Sequence, residues 1–180
     1  MKKEDNKKGQ MMSLPYGMIF SIILIIFFVA FAFYAINFWL KMQKCANIGI
    51  FKDELEREVK SAIAGDEALI SKKLNLPSEL EEVCFIDRYP GSKAAKDNAK
   101  IDKLKRYFDS EEKKNMFFIP PGKACESEMA GFQIKGINVT KTIEVSSSKK
   151  NPFCLENKKG KVSLKIRKEF GDNLAVIEVG

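Results

Sequence analysis

The chain has 180 residues, 45% of them hydrophobic, with 31 Lys and Arg against 24 Asp and Glu for a formal net charge of +7, and no histidine. That length holds one modest domain with appendages. The missing histidine removes the commonest general base and every mixed cysteine–histidine zinc site.

Residues 1–13 open MKKEDNKKGQ and read as a basic, disordered tail. No charged residue then appears from Met11 to Leu40, and thirteen of the nineteen residues from Met18 to Ile36 are Ile, Leu, Phe or Val. At about −0.3 to −0.6 kcal/mol each, these favour bilayer insertion by roughly 4 to 8 kcal/mol. Nineteen helical residues at ~1.5 Å each reach about 28 Å, close to the thickness of the hydrocarbon layer. Tyr34 and Trp39, then Lys41 and Lys44, stand where aromatic and basic anchors belong. Residues 14–40 are therefore predicted to be a transmembrane helix. The run is too long for a cleaved secretory signal, and bulky residues and lysines follow it instead of a small-residue cleavage site.

Orientation rests on two cues. Lys2, Lys3, Lys7 and Lys8 precede the apolar run and Lys41, Lys44 and Lys52 follow it, a bias toward a cytoplasmic N-terminus. Cys45, Cys84, Cys125 and Cys154 are widely spaced with no CxxC pair, which fits two disulfides in an oxidising compartment with three connectivities open. The alternative is four free thiols in a cytosolic head. Asn138-Val139-Thr140 is a glycosylation sequon, usable only outside the cytoplasm.

Residues 41–65 continue the helix in amphipathic form. Ile48, Phe51, Leu55, Val59 and Ile63 fall at steps of three and four, Asp53 with Arg57 and Glu56 with Lys60 are spaced as i,i+4 ion pairs, and Gly65 supplies a stop. Residues 66–180 change period. Short strands are predicted at Leu74–Pro77, Val83–Ile86 and Asn115–Ile119, with further short extended segments around Phe132, Ile134, Ile143 and Val145. Val162, Leu164 and Ile166 alternate with polar residues as a half-buried strand. With Phe153–Leu155 before it and Leu174–Val179 after it, this strand suggests a three-stranded C-terminal meander. A lysine-rich insert at 88–115 contains Ile101, Leu104 and Phe108 at the spacing of a short surface helix. The predicted class is α+β: a long N-terminal helix, transmembrane then amphipathic, followed by a small, mostly antiparallel β-rich domain.

No catalytic constellation is present: GxGxxG, GxxxxGK[ST] and GxSxG are all absent. A non-enzyme is expected, with no cofactor, no metal and no small-molecule ligand evident. Between Lys141 and Lys168 nine basic residues meet two acidic ones, but Phe153 and Phe170 read as core, so a solvated lysine surface is expected and no nucleic-acid partner.

Lys7-Lys8-Gly9-Gln10 ahead of the apolar helix resembles the class III signal of archaeal type IV pilin-like proteins. That resemblance implies peptidase cleavage between Gly9 and Gln10 and assembly through the apolar helix. Leu14 stands where many mature pilins carry an acid, and Pro15 and Gly17 lie where their helix is uninterrupted. The N-terminal segment through Cys45-Ala46-Asn47-Ile48-Gly49, together with Val83-Cys84-Phe85 and Asn151-Pro152-Phe153-Cys154, is similar to uncharacterised archaeal single-pass membrane proteins. The expectation is a non-enzymatic, membrane-anchored envelope protein with a structural or binding head; the alternative is a pilin-like subunit. Its expected partners are the lipid bilayer and other membrane or envelope proteins, or further copies of itself. Its expected location is the cell membrane, N-terminus inside and head outside.

Overall fold

A computed structural model describes residues 13–88, 95–107, 113–147 and 149–180, with side chains from residue 16 onward. The candidate processing site, Gly9 and Gln10, lies outside the described residues, as does Phe108. The chain divides into two compact units, Met1–Lys41 and Met42–Gly180.

The first unit is helical. Helix α1 (Ser13–Ala64) begins in it, and Pro15 sits in the first described turn. A proline there is tolerated because the N–H groups of a helix's first turn have no intrahelical acceptor. Every side chain from Tyr16 to Lys41 is exposed, including Phe27, Phe28, Phe31 and Trp39. Among the described residues this is the one helix long and apolar enough to cross a membrane, and none of its most apolar stretch is buried.

The second unit is α+β. From Met42 onward α1 presents Ile48, Phe51, Leu55, Val59 and Ala62 at steps of three and four, none more than 1% exposed. Ile63, expected to close this stripe, is only half-buried, and Ala62 takes the inner position. The expected pairs Asp53–Arg57 and Glu56–Lys60 do not form. Lys52 instead bonds Glu56 at 3.1 Å, and Glu58 reaches across to Lys72 at 3.3 Å. Past Ala64 the chain leaves the helix, and the Lys168 ammonium donates to the carbonyls of Gly65 and Asp66, satisfying acceptors the helix end leaves open.

Among the described residues nine strands follow: β1 (Ala68–Asn75), β2 (Glu82–Phe85), β3 (Ala95–Lys96), β4 (Met116–Ile119), β5 (Gly131–Phe132), β6 (Lys150–Asn151), β7 (Phe153–Lys158), β8 (Lys161–Lys168) and β9 (Val176–Val179). The main sheet runs β1-β8-β7-β2-β4-β5, with β9 also on β8; every pairing within it is antiparallel, while β3 and β6 form a small parallel pair. The predicted C-terminal meander is corrected in its order. One edge of β8 is taken along its whole length by β1, so β7 and β9 share the other edge, β7 through Asn157 and Lys158 and β9 through Val176–Val179. Strand β7 changes partner midway, from β2 over Phe153–Glu156 to β8 over Asn157–Lys158, and so joins the two parts of the sheet. The turn between β7 and β8 is Lys159-Gly160, both at positive φ (54° and 81°), the mirror-type turn that suits a two-residue hairpin.

Three further expectations are corrected. Ile143 and Val145 lie in helix α3 (Val139–Val145), not in an extended segment, because Asn138 caps it. Phe170 is not core: it is 82% exposed in the turn after β8. The insert's helix α2 (Asn98–Lys105) is more than surface, since Leu104 is fully buried. Strands β2 and β4 have two covered faces. Val83, Phe85, Met116 and Phe118 join the main core with α1, where Phe51 meets Phe118 edge-on at 5.8 Å. Cys84, Phe117 and Ile119 form a smaller cluster with Leu104 of α2.

Candidate functional site

The four cysteines are brought together in pairs. Cys45 of α1 bonds Cys125, 80 residues away in sequence, and Cys84 of β2 bonds Cys154 of β7, 70 residues away. The second pair is directly opposed across antiparallel strands, with Cys84 facing Cys154 in the register. No cysteine is left free. A Glu82 carboxylate oxygen lies within 4.8 Å of both Cys84 and Cys154 sulfurs, a grouping that resembles a metal site. The sulfurs are bonded to each other, though, and the thiolate that would ligate a metal is not present.

Asn138 is placed as the N-cap of α3. Its Oδ1 accepts from the Lys141 backbone N–H at 2.9 Å, which satisfies one of the donors a helix start leaves open. Two residues on, the Thr140 hydroxyl donates to Asp87 Oδ2 at 2.6 Å. Asp87 follows β2 and is 9% exposed. Asn151 holds its backbone from β6: the Asp87 N–H donates to Asn151 Oδ1 at 3.1 Å, and Asn151 Nδ2 donates to the Asp87 carbonyl at 2.7 Å. Asn115 treats Ile134 the same way, accepting from its N–H at 2.8 Å and donating to its carbonyl at 2.9 Å. Both asparagine side chains thus substitute for a strand partner where the ladder ends, pairing the backbone N–H and C=O of Asp87 and Ile134.

Between these clips lies a cavity of about 520 Å³. Ile86, Ile137, Val139 and Leu174 give it apolar lining, and Arg88, Lys113 and Lys114 bring three positive charges from the ends of the insert. Among the described lining residues Asp87 supplies the one carboxylate. Sequence reading did not find this place. Its residues fall in separate sequence features, the sequon Asn138-Val139-Thr140, the ends of the lysine-rich insert and the predicted strands at Ile86, Asn115 and Leu174, and what joins them is tertiary contact.

Beside α3, Lys141 Nζ donates to Glu169 at 2.7 Å and Asp172 at 2.8 Å, while Arg167 bonds Glu169 at 2.6 Å and Glu178 at 2.8 Å. The hydrogen bonds to Asp172 and then Glu169 hold the Lys141 ammonium above the usual lysine range. The bond from Lys141 in turn holds the Glu169 carboxyl below the usual range. Asp172 N–H closes on the Glu169 carbonyl at 3.1 Å, and Gly171 at φ 82° completes a tight turn that carries Phe170 outward.

Neither the known protein families, nor the characterised proteins, nor the solved structures contain a match to this chain.

Proposed function

We propose that the protein is a non-enzymatic, single-pass envelope protein, anchored by residues 14–40 and carrying a structural or binding head. The observation that carries this reading is the stretch from Tyr16 to Lys41, where every side chain is exposed and none before Lys41 is charged. A helix apolar on all sides is at home inside a large core or in lipid, and here it lies in no core. The two disulfides support a head in an oxidising compartment, with the N-terminus in the cytoplasm. The partners proposed are the bilayer and other envelope proteins.

A second reading, a type IV pilin-like subunit cleaved between Gly9 and Gln10, is favoured by Lys7-Lys8-Gly9-Gln10 ahead of that helix. In this version the apolar helix leaves the membrane to pack against copies of itself. Intact mass measurement of membrane-extracted protein separates the two. An N-terminus that retains Lys7 and Lys8 supports the anchor, and one that begins at Gln10 supports the subunit. Release of the chain by alkaline carbonate without detergent would overturn the anchor. Maleimide labelling of intact cells tests the orientation: an external head labels only after reduction, and free thiols shielded from outside would reverse it.

A further inference from the structure

We propose that the cavity beside α3 is a binding site for a small organic anion, a carboxylate or phosphate ester on a body of sugar size. This rests on the reading of the head as a binding module and names what it would bind. The described lining residues include three side chains with open donors. Lys113 Nζ, the Gln133 amide and Asn138 Nδ2 all belong to lining residues, and none makes a hydrogen bond to the described residues. Asn138 uses only its Oδ1 for the helix cap, so the cap and the donor are separate ends of one side chain. The one carboxylate among the described lining residues, Asp87, already receives the Thr140 hydroxyl. Lys113 adds a positive charge, and its ammonium bonds none of the described residues.

A ligand that offers acceptors and negative charge pairs with these groups; a cation or a donor-rich ligand does not. The apolar residues set the rest of its chemistry. Ile86 and Ile137 are 3% and 7% exposed, so their remaining accessible surface is small, but Leu174 is 40% exposed. A bare inorganic anion would leave that apolar surface uncovered. A volume of about 520 Å³ also falls within the usual ~300–1,000 Å³ of small-molecule sites, well beyond what a single phosphate fills.

The test uses the full chain in detergent micelles, titrated with glucuronate, glucose 6-phosphate, glucose and inorganic phosphate at low salt. Glucuronate, glucose 6-phosphate or both should bind at least about tenfold more tightly than glucose or inorganic phosphate, and added salt should weaken them. Preference between the first two identifies the anion as carboxylate or phosphate ester. Lys113 is exposed, so Lys113→Glu should leave the fold intact and weaken binding about tenfold or more. Asn138→Asp is the second variant. Aspartate caps a helix as well as asparagine does, but here it exchanges the open donor for negative charge, so binding should fall while the melting temperature holds. The proposal is overturned if no probe binds below about 10 mM, if glucose or phosphate binds as tightly as the sugar anions, or if both variants retain full affinity. A chain that still requires detergent for extraction but binds none of these probes loses this site and keeps its anchor.

Discussion

Residues 16–41 and 42–64 share one helix and differ in almost everything else. In the first stretch bulky apolar side chains point in every direction and all are exposed. In the second, the buried apolar residues form a single stripe, and from Lys52 onward charged residues fill most of the positions between them. Hydrogen bonding along the backbone is the same in both, so it does not distinguish them. The difference lies in the surroundings each side-chain pattern requires. A stripe needs one packed face and water on the other, whereas an all-round apolar surface needs a continuous apolar medium.

Truncating each stretch tests that difference most strongly. Phe51 is fully buried against Phe118, and Phe51→Ala should destabilise the head by about 3–5 kcal/mol, as lost transfer energy and a residual cavity combine. Phe27→Ala should leave the head's denaturation midpoint in micelles unchanged, because Phe27 is 62% exposed and belongs to the first unit. Equal losses from the two variants would break the comparison.

The disulfides give a smaller effect within the head. Replacing either pair by alanine should cost about 2–4 kcal/mol in urea denaturation. Their separations of 80 and 70 residues are so similar that loop entropy alone predicts near-equal losses. Cys84 is fully buried between β2, β4 and α2, whereas Cys45 is half-buried, so the Cys84–Cys154 variant should lose more. The reverse ranking would mean that restraint of the unfolded chain outweighs packing.

Much of this contrast was legible in the sequence. The uncharged run and the stripe from Ile48 to Val59 are repeated local patterns, and so is the alternation along β8. The misread elements lack enough residues to show a period. Helix α3 has only seven, and Ile143 and Val145 in isolation look like a strand. Its cap, Asn138, was read as part of a sequon. Phe170 has the chemistry of a core residue but falls on a turn, where the clamp to Lys141 fixes its direction. The cavity was least legible, because Asp87 meets Thr140 and Asn151 across 53 and 64 residues. No local pattern records contacts at that range, and the edge pairing of β1 with β8 was hidden for the same reason.

The C-terminal end of α1 gives the next effect. Lys168 is 8% exposed and its ammonium meets two carbonyls past Ala64. Lys168→Ala should cost about 1–2 kcal/mol, the scale of a partly buried cation at a helix end. Lys168→Arg should recover part of it. The loss should appear in head unfolding alone, with the helicity of residues 16–41 in micelles unaltered.

The smallest effect is one of pH. Glu169 titrates below its ordinary 4.5, chiefly through the bond from Lys141, so its contribution is complete above about 4.5 and is lost as pH falls through the lower folded value. Lys141 titrates above its ordinary 10.5 through Asp172 and Glu169, so its contribution is complete below about 10.5 and is lost as pH rises through the higher folded value. The turn at Phe170 is therefore held across the interval between. Protection of the Asp172 amide, corrected for intrinsic exchange, should be constant from pH 5 to 9 and fall toward pH 3. Lys141→Met should lower protection at neutral pH and flatten the acid dependence. No charged residue lies between Met11 and Leu40, so helicity there should stay flat over the same acid range. An acid transition in that stretch would mean that its stability depends on the head's ion pairs rather than on the surrounding medium.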